Sequence, residues 1–391
     1  MSSSLFEKIY QFESWLKNQA IPFWSQQGID EHGASYEKFN ADASPDLTSN
    51  RRVRVQTRQM FVFALAQNLG WIDNGTELIA NLNAYLLRFA KDPTGQHFVH
   101  ILDKDHNIIN RHQDLYDVAF LLLSYGWRYH VLNDLNALNA ANLLLGDIDI
   151  KLKDHPGGWK EGDYDSPYRR QNPHMHLFEA FLTLYKFTRD GKWLAKAGEI
   201  FCLFETQFFD HENGVLLEFF TDNWQPVAGE KGNIVEPGHM MEWVWLLREY
   251  QKYTQAPVDK YCHELYHNAI KLGLDKSGEL LVDEINHKSK VTTGNKRCWP
   301  MTEWLKASLA QAQYTKSDHD YLSDANKAVA GLLKHFIRNP DQGRYIDQLN
   351  NNNEVINDTA PASTLYHLIM AGYEATNYVQ SSPKELIYAV R

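Results

Sequence analysis

His239 and Glu242 stand three residues apart in the stretch Glu236-Pro-Gly-His-Met-Met-Glu-Trp-Val-Trp245, where a Pro-Gly turn leads into an apolar segment that reads as a buried helix. Positions i and i+3 share one face of a helix, so a base and a carboxylate look into the same space. An imidazole moves protons near neutral pH, and a neighbouring carboxylate orients it or holds a second proton, which is general acid/base equipment. Taken alone, a His-x-x-Glu pair is more often structural than catalytic; its weight comes from what other segments bring beside it.

Comparable side chains recur at the start of five further apolar segments. These are Arg58 behind Arg54 and Gln56, Tyr116 beside Asp114 and Asp117, His176 in Asn172-Pro-His-Met-His, Trp299 and Glu303 in Cys298-Trp-Pro-Met-Thr-Glu-Trp304, and His367 closing Pro361-Ala-Ser-Thr-Leu-Tyr-His. Brought to one place, two or three imidazoles with an arginine and aromatic walls suit removal of a proton next to a carbonyl, with the cation and hydrogen-bond donors holding the enediolate. That is isomerase or epimerase chemistry. The structural reading of the same residues is that Trp299 packs, Glu303 is a surface carboxylate and Arg58 pairs with Asp114 or Asp117.

Other chemistries fit less well. His174-x-His176 could bind zinc or manganese, but no H-E-x-x-H and no compact ligand spacing occurs, and a neutral imidazole acting as base needs no metal. The expectation is an enzyme without metal or cofactor. Phosphate-cradling glycine loops and a G-x-S-x-G elbow are also missing from the sequence. A glycoside hydrolase needs two opposed carboxylates, for which Asp117, Glu242 and Glu303 are candidates, but it has no need of His239 and His367. A non-catalytic sugar-binding ring rests on the aromatics alone.

The elements that must position these residues repeat along the chain. Six Asp/Asn-led turns end in Gly33, Gly95, Gly158, Gly214, Gly278 and Gly343, separated by 62, 63, 56, 64 and 65 residues. Several are followed by an alternating stretch and a polar turn, such as His97-Phe-Val-His-Ile-Leu before Asp103-Lys-Asp-His and Tyr345-Ile-Asp-Gln before Asn350, which read as short hairpins. Between the turns, apolar periodicity predicts helices over 5–20, 54–70, 76–90, 113–131, 134–151, 174–188, 192–207, 238–253, 259–273, 300–314, 319–337 and 362–377. Twelve helices in six pairs predict an all-α fold over residues 1–391, a single (α/α)6 barrel with hairpins in its loops, in which the even-numbered helices line the interior and start at one mouth. An open solenoid is the structural alternative.

Composition bounds the partners. With 43% hydrophobic and 13% aromatic residues, a net charge of −10 and a pI near 5.9, the chain suits a large core and a small-molecule partner rather than nucleic acid. Three scattered cysteines, an N-terminus without the features of a signal peptide and no membrane-length apolar run lead to the expectation of a cytoplasmic protein, monomeric or homodimeric.

The residues also resemble the family of N-acylglucosamine 2-epimerase and its relatives, over nearly the whole chain from Val55-Gln-Thr-Arg-Gln59 to the last helix. The most specific pieces are Asn172-x-x-Met-His176, Pro237-Gly-His-x-x-Glu-Trp243, Trp299-Pro-x-x-Glu303 and Tyr366-His367. The resemblance implies an (α/α)6 barrel. It makes Arg58 similar to an arginine that contacts the sugar oxygens near C1 and C2, Tyr116 and Asn172 similar to wall residues, and His176 similar to a histidine that hydrogen-bonds the sugar. His239 and His367 match two histidines on opposite sides of the reacting carbon, with Glu242 as partner of His239 and Trp299 as stacking wall; Glu303 belongs to the same sugar site. Only Lys231 is basic in Val227-Ala-Gly-Glu-Lys-Gly232, and Ser363-Thr-Leu-Tyr precedes His367 without a tryptophan, so the expected substrate is a neutral monosaccharide. The mannose-isomerising members look most similar. The reading is therefore a cofactor-free isomerase interconverting D-mannose and D-fructose, with D-lyxose and D-xylulose as a further candidate pair, and a sugar 2-epimerase as the alternative.

Overall fold

The computed structural model describes residues 4–93, 97–155, 157–288, 290–314 and 318–382, with the backbone alone at 290–293. Gly95 of the second turn and Pro156 of the third lie outside them. Six helices line the interior: α2 (Val53–Asn68), α4 (Leu115–Leu132), α6 (Gln171–Thr188), α8 (Pro237–Thr254), α10 (Trp299–Tyr314) and α12 (Ala362–Ser381). Around them lie α1 (Leu5–Trp15, prolonged through Leu16–Ala20 and Ile21–Gln27), α3 (Gly75–Tyr85), α5 (Leu135–Lys151), α7 (Gly191–Leu203), α9 (Asp259–Gly273) and α11 (Tyr321–Gly331). The inner helices pack in the order α2, α4, α6, α8, α10, α12 and back to α2, so the ring is closed and the solenoid alternative falls.

Side-chain patterning explains which helix goes where. In α2 every residue from Val55 to Ala66 is buried, as a helix enclosed on all sides requires. The outer α9 buries Cys262, Leu265, Tyr266 and Ala269, a stripe at spacings of three and four that faces α8. Each outer helix lies on the inner helix before it in the chain, and α1 completes the set by lying on α12. The inner-to-outer connections are short after α4, α6 and α8, where Asn133, Arg189 and Gln255 end the helix in the left-handed conformation. The outer-to-inner connections are long, and all six lie at the N-terminal ends of the inner helices.

The predicted hairpins are there, with a pairing that the sequence did not announce. Ile101–Leu102 and Ile108–Asn110 form one hairpin, and Gln348–Leu349 with Val355–Asn357 another. The residues just before each inner helix pair with the loop of the next repeat: Arg51 with Leu102, Arg169 with Phe220, Val235 with Ile285 and Lys296 with Leu349. A single bridge joins Asp114 to Gly162, and Phe39 pairs with Ala360 to tie the sixth repeat to the first. Six backbone pairings thus form a collar around the mouth.

The repeat turns behave as their composition demands. Gly33, Gly158, Gly214 and Gly278 have φ of 87°, 74°, 65° and 73°, values that a side chain would strain. At Gly343 the reason is space instead, since a Cβ would lie 2.3 Å from that of Phe23. The first helix outruns its predicted end because Leu16–Ala20 widens into a π turn, which puts Pro22 in the first turn of Ile21–Gln27, where its missing N–H costs little. Among the described residues, no helix is long and apolar enough to cross a membrane.

Candidate active site

All nine residues singled out from the sequence come from inner helices and gather at the collared mouth. A cavity of about 340 Å³ is lined by Arg58, Tyr116, Asn172, His176, His239, Glu242, Trp299 and His367, and Glu303 lies directly behind His367. Residues up to 309 positions apart in sequence meet here because each inner helix delivers its first turns to the same end.

His239, one turn into α8, has its Nδ1 3.0 Å from Glu218 Oε1 and 3.8 Å from Glu236 Oε2. Burial works against charge on this ring, yet Glu218 and Glu236 beside it raise the imidazole to about 9. His239 is therefore a cation at neutral pH. Asn172 Nδ2 lies 3.3 Å from Nε2, and its Oδ1 is buried without a partner. Since a charged ring donates from both nitrogens, the amide assignment that suits it is the flipped one, with the oxygen toward Nε2.

His367 is held in the opposite state. Its Nδ1 is 2.8 Å from Glu303 Oε1, which fixes the proton on Nδ1 and leaves the Nε2 lone pair for the cavity. Burial, with Arg58 and Lys306 near by, keeps this ring well below the ordinary imidazole value. Lys306, one turn after Glu303, is itself buried and places Nζ 2.7 Å from Glu303 Oε2. The Trp299 indole lies between the two imidazoles, with ring centres 5.0 Å from His239 and 5.4 Å from His367.

Arg58 supplies fixed positive charge. Its Nη2 donates to Tyr116 Oη at 2.7 Å and Nη1 to the Ser363 carbonyl at 3.1 Å, while its guanidinium lies 4.1 Å from the centre of the Phe120 ring and Nε is buried without a partner. It does not pair with Asp114 or Asp117; Arg54 takes Asp117 instead, at 3.4 Å, with His100 at 2.7 Å from the other oxygen. That leaves Asp117 engaged and unsuited to hydrolysis. His176 is buried, bonded through Nε2 to Tyr116 Oη at 3.2 Å, and held well below its ordinary value by burial and by Arg58.

The expected partnership of His239 with Glu242 is corrected by the geometry. The carboxylate that holds His239 is Glu218, from the hairpin loop of the fourth repeat, because the Nδ1 edge of the ring points outward to the collar and not down the helix. Glu242 sits deeper. Neither of its oxygens has a hydrogen-bond partner, it lies 3.8 Å from His176 Nδ1, and burial with Glu303 beside it raises its carboxyl well above the usual range. It lies in the floor of the site, with Lys306 as the opposing cation. Glu303, expected at the surface or in the sugar wall, is buried and acts through His367.

Glu218, Glu236, Arg297 and Lys306 are among the residues at this site that the sequence did not reveal. One signal was available for Glu218, since it stands eight residues after Asp210 of the repeat turn, as His100, Asp283 and Asp347 stand eight after Asp92, Asp275 and Asn339 and as Glu37 and Glu161 stand seven after Asp30 and Asp154. Each of these six residues bonds near the start of an inner helix. Glu37 holds Arg52, Glu161 holds Arg170 and Asp283 holds Arg297.

Among the described residues four groups at or beside the site have ligand atoms within 4.8 Å of one another, His100 with Asp114 and Asp117, His176 with Glu179 and Glu242, and two that hold the paired imidazoles, Glu242 with Glu303 and His367, and Glu218 with Glu236 and His239. In these last two, positive charge is already supplied, by Lys306 in the first and by His239 itself in the second. His174 is spent on structure: it accepts from the Trp159 N–H at 3.1 Å and is pushed down to about 3 by burial.

The arrangement pairs an imidazolium with a neutral imidazole across one aromatic wall, with a fixed guanidinium lining the same cavity. It can donate a proton at one point, remove one at another and hold an oxyanion. Comparison with known proteins agrees. The sequence profile of N-acylglucosamine 2-epimerase (GlcNAc 2-epimerase) matches residues 34–371. A relative from Rhizobium meliloti (strain 1021), named mannose-6-phosphate isomerase, is 33% identical over 373 residues, covering 93% of this chain and 95% of its own. Among solved structures, the cellobiose 2-epimerase of Spirochaeta thermophila DSM 6192 matches with a TM-score of 0.85 at 20% identity, covering 96% of this chain and 98% of that one. A D-mannose isomerase matches with a TM-score of 0.81 at 22% identity, covering 95% and 97%. Both share the (α/α)6 barrel. With a family profile spanning most of the chain and a full-length relative above 30% identity, the chain belongs to the N-acylglucosamine 2-epimerase family and is an isomerase-type enzyme, a sugar isomerase or epimerase.

Proposed function

We propose that this enzyme interconverts D-mannose and D-fructose in the cytoplasm, without metal or cofactor, through a cis-enediolate, with D-lyxose and D-xylulose as a second pair. The observation that carries the reading is the opposite protonation of two imidazoles in one cavity. His239, charged and held by Glu218, gives its Nε2 proton to the ring oxygen and takes the proton of the anomeric hydroxyl as the sugar opens. It then gives a proton to O1 and takes one from O2 as the carbonyl moves from C1 to C2. His367, neutral at Nε2, removes the C2 proton from the open chain and returns it to C1 on the same face. Arg58 and neighbouring hydrogen-bond donors hold the oxygens of the enediolate above Glu242, while Trp299, Tyr116, Asn172 and His176 form the walls. The substrate is a small neutral monosaccharide, in keeping with the cavity of about 340 Å³. The names of the Rhizobium meliloti relative and of the D-mannose isomerase structure support an isomerase outcome on a mannose skeleton.

A second reading is favoured by the position of Trp299 between His239 and His367, which lets both rings approach one carbon from two sides, as a 2-epimerase needs. Mannose in D2O separates the two. Fructose carrying deuterium at C1 is the expected early product; glucose carrying deuterium at C2 as the main early product overturns the isomerase in favour of the epimerase.

A further inference from the structure

A second cavity, of about 400 Å³, opens off the catalytic one and shares Arg52, Arg58, Tyr116, Asn172 and Ser363 with it. Its own walls add Arg54, His100, Asp114, Tyr164 and Arg170. A hexose whose C1 and C2 lie against His367 and Arg58 does not fill both spaces, and none of these added residues has work in the proton transfers. Four guanidinium groups in one chamber are a recognition device for planar or tetrahedral oxyanions, since each offers a fork of N–H donors.

How those guanidinium groups are held bears on what they can take. Arg52 and Arg170 are set by the same motif in the first and third repeats: the backbone N–H of each donates to one oxygen of a glutamate, Glu37 or Glu161, at 2.7 Å, and the side-chain Nε donates to the other at 2.7 and 2.8 Å. Both are about one third exposed, at 34%. These carboxylates engage Nε and Nη2 of each guanidinium, and both arginines line the chamber. Arg54 has one long contact, 3.4 Å from Nη1 to Asp117, and its Nη2 has no acceptor among the described residues. The carboxylates facing the chamber are Asp114, which accepts from Tyr164 Oη at 2.7 Å, together with Glu37, Asp117 and Glu161 behind the arginines. His100, 2.7 Å from Asp117, is raised above the ordinary imidazole value by that carboxylate despite burial.

We infer that this chamber is an anion subsite for the far end of the sugar, so that the enzyme takes hexose 6-phosphates as well as the free hexose, with Arg54 and Arg170 as specificity-determining residues for the phosphate. The inference rests on the isomerase reading for the placement of C1 and C2, but the chamber can be tested without turnover. Mannitol 1-phosphate and mannitol are open-chain, unreactive and differ only in the phosphate. Calorimetric titration of the full-length enzyme is expected to show the phosphate ester binding at least about tenfold tighter than mannitol, with an advantage that shrinks as salt rises. R54Q and R170Q are expected to remove most of that advantage while leaving mannitol affinity and mannose turnover within about twofold. Because each substitution strands a buried carboxylate, the charge-neutral pair E161Q/R170Q is measured beside them, with the same loss expected. In parallel, kcat/KM for mannose 6-phosphate is expected to exceed that for mannose. Equal binding of the two alditols, or an advantage that survives in all three variants, overturns the anion subsite. Tight, arginine-dependent binding of the ester with no conversion of either sugar overturns the isomerase reading and leaves the subsite standing.

Discussion

Glu218→Gln is the sharpest test of the proton inventory at the site. The carboxylate lies 3.0 Å from His239 Nδ1 and is, with Glu236, what lifts a buried imidazole to about 9 instead of letting it fall below its ordinary value of roughly 6.5. Glutamine keeps the volume and one acceptor but removes the charge. One opposed charge at this distance in a buried setting moves a titration by about 1 to 3 pH units. In the proposed mechanism the protonated form of His239 is the active one, so activity is expected below its pKa and is lost as pH rises through it. The alkaline limb of kcat/KM is therefore expected near pH 9 in the wild type and about 1 to 2 units lower in the variant. At pH 8.5 that costs roughly tenfold in rate, and at pH 6 close to nothing, since the ring is charged in both proteins. Initial rates of fructose formation from mannose across pH 5.5 to about 10 read the shift directly. A uniform loss at every pH, or an unmoved alkaline limb, refutes the view that Glu218 holds His239 in its cationic state.

Replacing the proposed base, His367→Asn, is expected to lower both fructose formation and solvent-deuterium exchange at C2 by about 10² to 10⁴-fold, followed by proton NMR in D2O. In the wild type the acid limb of the profile should fall below the ordinary imidazole value, because His367 is held neutral by burial and by the cations around it. Lys306→Met leaves Glu303, Glu242 and Glu179 buried without their cation, and an uncompensated buried charge costs about 3 to 5 kcal/mol. Those acids have folded-state pKa values above their unfolded ones, so stability is present at low pH and lost as pH rises; the drop in Tm should be larger at pH 8 than at about pH 5.5. Exhaustive EDTA treatment is expected to leave activity intact, and loss restored by one divalent ion would assign the Glu242, Glu303 and His367 group to a metal.

The architecture was legible because its signals are local. Apolar stripes and short polar turns carry the helices, and 259–273 is found where its spacing predicts it, as Asp259–Gly273. The nine site residues were legible because each sits in the first turns of an apolar helix, where a polar side chain needs a reason. What escaped depends on contacts between repeats. Glu218 reaches His239 across the collar from the preceding loop, and no i, i+3 rule could reveal that; the same rule pointed to Glu242, which faces inward to Glu303 and Lys306. Nothing local marks Lys306, and only ring closure shows it enclosed by three carboxylates. The collar pairings escaped for the same reason, since two-residue strands bear no periodicity of their own.

The residue seven or eight places beyond each turn gives the enzyme six interchangeable positions around its mouth. Each is a single side chain on a hairpin whose backbone is already tied to the neighbouring repeat, so its identity can change without moving a helix. Only the fourth, Glu218, touches a catalytic imidazole; the first, third and fifth hold rim arginines, and the second and sixth carry His100 and Asp347. Under the proposed mechanism, substitution at the fourth position changes the proton-transfer step, whereas substitution at the others changes the rim around the mouth. In such a ring, new substrates can be acquired one loop at a time while the proton-transfer chemistry stays fixed.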